Sequence, residues 1–211
     1  MLLGVSSFAQ TPENHLNGKI INVIGDSYVR NHKRPYQEAW HSLVAERNGM
    51  TYRNYGRNGG CIAFDRTDEG FGKSIIERYK EMNDTADYVI VIAGHNDAGK
   101  IKNNADSLGM FKAAMRQLCE GLIEKYPKAK IAFVTPWHVN RDGFVQVTDA
   151  IIEICGEYSI PVLNAAKESG IHVGNDAFRK VYFQGPNDTA HLNALGHERF
   201  YPKGLAFIRD L

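Results

Sequence analysis

Five short segments of this chain carry side chains suited to acyl transfer. Gly25-Asp26-Ser27 closes a short apolar run, Lys19–Ile24, and offers a hydroxyl. Asn54-Tyr55-Gly56-Arg57-Asn58-Gly59-Gly60 is a glycine-rich loop. Gly94-His95-Asn96-Asp97 brings a carboxamide, and Pro136-Trp137-His138 an indole and an imidazole. Asp188-Thr189-Ala190-His191 sets a carboxylate three residues before an imidazole. A serine hydroxyl is a poor nucleophile until a base takes its proton, and the base needs a third group to fix its tautomer. At this spacing Asp188 can reach one nitrogen of His191 and leave the other for a serine. Nucleophile, base, orienter and amide donors together make the inventory of acyl transfer.

Each segment taken alone has a structural reading. Gly-Asp-Ser is a common turn, and glycines serve positive φ in loops. Asn96 and Asp97 can cap a helix, and a lone histidine is more often structural. The order of the segments along the chain changes the weighting. Lys19–Ile24 reads as a first strand and Pro35–Asn48 as a helix, with Pro35 in its first turn and Gly49 past its end. Met50–Asn54 follows as a second strand, and Phe71–Met82 has helical spacing. Tyr88–Ala93 (YVIVIA) is short, continuous and apolar, as in a strand buried on both faces. Met115, Leu118, Cys119, Leu122, Ile123 and Tyr126 form one face of a long helix that Pro127 ends. Ile131–Thr135 is a buried strand, Val145–Tyr158 a helix and Pro161–Leu163 a short strand, and Asn193 caps a last helix. This alternation predicts a parallel, about five-stranded sheet between helix layers. Ligands of such sheets bind at the carboxyl ends of the strands, and the first four segments stand at strand ends.

The ordered set resembles the SGNH, or GDSL-like, hydrolase family. That family's pattern has Ser in a Gly-Asp-Ser block after strand one and Gly in a loop after strand two. Asn follows in a Gly-x-Asn-Asp block after strand three, and Asp-x-x-His stands near the C-terminus. All four blocks occur in order between Gly25 and His191. The resemblance implies a flavodoxin-like three-layer α/β/α sandwich and ester hydrolysis without a cofactor. It implies Ser27 as nucleophile, His191 as general base and Asp188 as its orienter. The oxyanion hole would be the backbone N–H groups of Ser27 and Gly59 and the Asn96 side chain. Two positions depart from the pattern. Tyr28 replaces the usual Leu after the serine, and two adjacent glycines compete for the second block. Gly59 is chosen by its distance from Asn54, with Gly60 second.

Composition bounds the rest. The 211 residues are 43% apolar and 23% charged, with a formal net charge of +1. Neither nucleic acid nor an anionic membrane is an electrostatic partner for such a chain, and Arg30, Lys33 and Arg34 are too few to make a basic patch. No apolar run reaches the roughly 18 residues of a membrane span. The first ten residues, with Ser7-Phe8-Ala9, read as the end of a signal peptide or as a disordered tail ahead of a single domain over residues 11–211; the first reading suggests a secreted or periplasmic protein, the second a cytoplasmic one. Three cysteines argue against a disulfide framework, although one bridge is possible; Cys119 and Cys155 read as buried thiols. No His-Glu-x-x-His, P-loop or dinucleotide fingerprint is present, so no metal or nucleotide is expected. Tyr28, Arg57, His95, Trp137 and His138 are candidates to border the substrate, with Trp137 able to stack on a sugar. The expected substrate is a small acyl ester, with carbohydrate O-deacetylation as the favoured activity. The alternatives are a lysophospholipase or thioesterase, and a noncatalytic carbohydrate-binding protein on the same fold.

Overall fold

The computed structural model describes residues 14–211, so the signal-like stretch lies outside the described residues. Five strands form one parallel sheet: β1 (Ile20–Gly25), β2 (Thr51–Gly56), β3 (Tyr88–Ile92), β4 (Lys130–Val134) and β5 (Val162–Leu163). Their order is β2-β1-β3-β4-β5. Every residue of β3 and all but the first of β1 are buried, which explains the apolar run of β3 and the mostly apolar run of β1, broken only by the buried Asn22. The edge strand β2 is polar and part-exposed. This is the flavodoxin-like order, in which the chain leaves β1 toward one edge and β3 toward the other. The crevice at that reversal lies between the ends of β1 and β3, where Ser27 and Asn96 stand.

Nine α-helices occur among the described residues: α1 (Ser27–Arg30), α2 (Trp40–Arg47), α3 (Ile75–Arg78), α4 (His95–Ile101), α5 (Ala105–Lys125), α6 (Phe144–Glu157), α7 (Ala165–Glu168), α8 (Asp176–Tyr182) and α9 (Ala194–Arg209). Helix α2 packs on α9, while α3, α4 and α6 pack on α5. Right-handed crossovers in this strand order place the two groups on opposite faces of the sheet. Trp40 sits edge-on against Phe200 of α9, and a Cβ on Gly204 would lie 2.3 Å from the indole. Gly204 is therefore the seat of Trp40. Among the described residues no helix is long and apolar enough to cross a membrane.

Sequence periodicity located most elements but misjudged the extent of two helices and missed short ones. The helix expected over Pro35–Asn48 is a 3-10 turn (Tyr36–Glu38) followed by α2, because Ala39 between them is extended. The helix expected over Phe71–Met82 shrinks to α3 and a 3-10 turn, since Gly72 takes φ +78° ahead of it. The short helices α4 and α8 carry too little apolar periodicity to be read from sequence. Asn193 caps α9 as expected, its side chain accepting the Gly196 N–H.

Two glycines separate close approach from mere exposure. A Cβ on Gly25 would lie 2.0 Å from the Ile92 carbonyl oxygen of the neighbouring strand, whereas one on Gly109, at an exposed position of α5, would meet nothing within 4 Å. Gly25→Ala should destabilise the protein by about 3 kcal/mol in urea titrations, and Gly109→Ala should stabilise it by about 0.5–1 kcal/mol.

Candidate active site

Asp26 caps α1 by accepting the Tyr28 N–H on Oδ1 at 2.8 Å, which places Ser27 as the first helical residue, at the sheet edge. A helix of four residues cannot satisfy its own carbonyls. Asn54 donates to Val29 O (2.9 Å), and His41 Nε2 to Tyr28 O (3.3 Å). Tyr52 donates to the other ring nitrogen of His41 (2.8 Å), which assigns the proton to Nε2. Burial holds His41 at about 4, so this bridge is neutral. The helix ends in two left-handed residues, Asn31 (φ 62°) and His32 (φ 34°), whose N–H groups both donate to Ser27 O at 2.9 and 3.3 Å. Such backbone costs about 1–3 kcal/mol per non-glycine residue.

Ser27, His191 and Asp188 are connected. His191 Nε2 lies 2.9 Å from Ser27 Oγ, and His191 Nδ1 lies 3.0 Å from Asp188 Oδ2. Asp188 Oδ1 accepts the N–H groups of Ala190 and His191, each at 2.8 Å, so one tight turn fixes the carboxylate relative to the ring. Partial burial raises the Asp188 proton affinity, but the His191 ring and these two N–H groups outweigh it and hold the pKa at about 2. An ionised Asp188 keeps the proton on Nδ1 and leaves Nε2 free to accept from Ser27.

Opposite this row stand the amide donors. Asn96 lies in the first turn of α4; its Nδ2 donates to Gly60 O at 3.0 Å and makes a long 3.4 Å contact with Asp26 Oδ2. The N–H groups of Ser27 and Gly59 donate to nothing among the described residues, whereas Gly60 N–H is committed to Arg57 O at 3.1 Å. Between the two candidate glycines, Gly59 therefore has the available N–H. Its φ is +71°, and a Cβ there would lie 2.1 Å from the Phe71 ring. Asn96 and Asp97 do not cap α4, because Gly94 holds the N-cap position at φ 115°. Asp97 instead turns inward, where its carboxylate accepts Ile62 N–H (2.9 Å) and Ala63 N–H (3.0 Å) and ties the glycine loop to the helix of Asn96.

Burial dominates the two acids beneath the site. It raises Asp97 to about 6 despite those two N–H bonds. It raises Asp26 to about 8, against the Tyr28 N–H and with the Asp97 charge adding to the rise. Arg78 donates to Tyr55 O (2.9 Å) and Gly25 O (3.0 Å), joining the ends of β1 and β2 below the loop.

The five residues expected to border the substrate separate. Trp137 does not face solvent: it is 2% exposed, packs on Tyr28 and Phe200, and donates its indole N–H to Ala190 O at 2.7 Å. The stacking platform expected for a sugar is instead a brace under the Asp188–His191 turn. Tyr28 is buried, with its hydroxyl 3.4 Å from His95 Nδ1. His95 accepts from Arg141 on Nε2 (3.1 Å), and burial followed by the Arg141 charge lowers it to about 4. Arg57 is exposed and lines a separate cleft with Arg30 and Phe71. His138 is exposed and lines another cleft, with residues 166–175. The sequence reading missed His32, whose ring stacks on His191 with centroids 4.3 Å apart and planes 17° apart. An Asn after a short helix is a left-handed cap signal and was the available clue to this turn. All three cysteines are buried free thiols.

A model of the GDSL-like lipase/acylhydrolase family matches residues 23–199. No curated protein matches the sequence. A Lactobacillus plantarum protein of known structure superposes with a TM-score of 0.78 at 21% identity, over 93% of this chain and 99% of the other. A protein described as a GDSL-like lipase from Bacteroides ovatus gives 0.66 at 17% identity, over 92% and 100%. A family two carbohydrate esterase from Clostridium thermocellum, solved with cellohexaose, gives 0.68 at 14% identity, over 91% of this chain and 64% of its own. At these identities the superpositions speak for the fold, and the family match covers the strand-end segments from Ser27 to His191. The chain belongs to the GDSL-like lipase/acylhydrolase family.

Proposed function

We propose that the protein is a serine esterase that removes small acyl groups, with acetyl esters of carbohydrates as its substrates. The observation that carries this reading is the Ser27–His191–Asp188 row, with bonds of 2.9 and 3.0 Å. His191 takes the Ser27 proton as Oγ attacks the acyl carbon. The oxyanion that forms is met by the N–H groups of Ser27 and Gly59 and by Asn96, whose long contact to Asp26 is readily exchanged. His191 then returns the proton to the departing alkoxide, and water repeats the sequence on the acyl-enzyme. No step calls for a metal or a cofactor.

Two features support a small acyl group on a polar alcohol. The cleft beside the triad, about 390 Å³, is lined by His32, Lys33, Arg34, Gln184, Gly185 and Asp188, none of them apolar. The leaving alcohol must sit on the His191 side, since His191 protonates it, and that is the side of this cleft. The fold is also shared with a carbohydrate esterase solved with a glycan. Export, suggested by the N-terminal residues, would place the enzyme among extracellular glycans.

Ser27→Ala should abolish hydrolysis of aryl acetates while leaving the thermal transition in place. Asn96→Ala should lower kcat by about 10²–10³ with little change in KM; an unchanged kcat would remove Asn96 from the oxyanion hole. Asp188 stays ionised down to about 2, so its own titration should contribute nothing to the pH dependence of kcat in the neutral range. Dialysis against a chelator should leave kcat unchanged, and loss restored by zinc would refute the metal-free scheme. On aryl esters, kcat/KM should peak at acetyl and fall by butyryl. Each CH₂ buried in an acyl pocket would instead add about 0.8 kcal/mol, so a steady rise to octanoyl would favour a lipase or thioesterase.

A further inference from the structure

The proposed catalytic base has a partner that the triad does not account for. The imidazole of His32 lies face to face with that of His191, with centroids 4.3 Å apart and planes inclined by 17°. The side chain gets there only because its backbone is left-handed, at φ 34°, directly after Asn31 at φ 62°. A buried network holds that turn. Asn31 donates to Pro35 O (2.6 Å) and accepts from His197 Nε2 (3.1 Å), while His197 Nδ1 accepts the Trp40 N–H (3.3 Å). Both Asn31 and His197 are 2% exposed. Burial lowers His197 to about 3, so it stays neutral, with its proton on the nitrogen that faces Asn31. The two N–H groups donated to Ser27 O bind the same turn to the proposed nucleophile. Strain held in place by buried hydrogen bonds beside a reacting group marks a functional constraint.

We infer that His32 is a positioning residue for His191: its ring closes one face of the base and fixes the plane in which Nε2 addresses Ser27. This rests on the esterase reading, in which His191 is the base. The Asp188 bond anchors one edge of the ring but leaves it free to tilt toward the cleft lined by Lys33, Arg34, Gln184 and Gly185. A flat neighbour on that face removes the tilt without competing for either nitrogen. Burial, and next the His191 charge, lower the proton affinity of His32. It is therefore a neutral ring while His191 is an imidazolium, and a neutral π-face against a cation attracts rather than repels. Loss of orientation of this kind is felt in turnover, since a small misplacement of a reacting group costs up to about 10²-fold.

His32→Asn removes the ring while keeping a residue at ease in left-handed backbone. It should lower kcat on aryl acetates at least about tenfold, leave KM within about twofold, and leave the melting temperature unchanged or raised. His32→Phe restores a flat ring and should recover kcat to within a few-fold of the parent. Full kcat in His32→Asn would overturn the assignment. So would parallel losses of kcat and melting temperature that His32→Phe does not repair, because those belong to a structural residue. Ser27→Ala, assayed alongside, separates the two levels: if it remains active the esterase reading itself fails, whatever the His32 variants do.

Discussion

The contact between Ser27 Oγ and His191 Nε2 joins residues 164 positions apart, and the rest of the structure is organised around bringing them together. On the serine side, β1 is buried along almost its whole length and stops at Gly25, which passes the Ile92 carbonyl too closely for any side chain. On the histidine side, the Asp188–His191 turn is closed by three hydrogen bonds to one carboxylate and braced from below by Trp137. Trp137 in turn packs on Tyr28, the residue after the proposed nucleophile. The two halves of the row thus share one wall of aromatic side chains.

Beside that aromatic wall the supporting layer holds a set of buried polar groups. Asp26 sets the start of α1, Asp97 clamps the glycine loop, and Arg78 joins the ends of β1 and β2. His41 and His197, fully desolvated and neutral, satisfy carbonyl and amide groups on either side of α1. Each such group costs free energy to bury unless it is bonded, so the layer is stable only in one arrangement. That requirement fits a site in which a proton must move between groups held to fractions of an ångström.

The strand-end segments were legible in the sequence because parallel strands buried on both faces read as unbroken apolar runs, and their carboxyl ends fix where ligands meet the sheet. Ser27 and Asn96 could be chosen for that reason, Asp188 and His191 by their three-residue spacing and by the family resemblance, and Gly59 by its distance from Asn54. Trp137 could not be placed, because an indole after a strand reads the same whether it faces a ligand or the core; its bond to Ala190 O joins residues 53 positions apart, which no local pattern records. His32 was invisible for a different reason. Its position depends on two left-handed residues and on a hydrogen bond from His197, 166 residues from Asn31. Helical spacing also failed over Pro35–Asn48, since a single extended residue, Ala39, interrupts it without any apolar signal.

The central claim is that Ser27 is a nucleophile made reactive by His191. It is tested most directly by treating the protein with an aryl phosphonate and locating the adduct by peptide mass spectrometry. The account predicts one equivalent of phosphonyl group on Ser27, formed in step with loss of esterase activity and suppressed in His191→Ala. An adduct on another serine accompanied by full inactivation, or labelling of Ser27 at the same rate in His191→Ala, would contradict it.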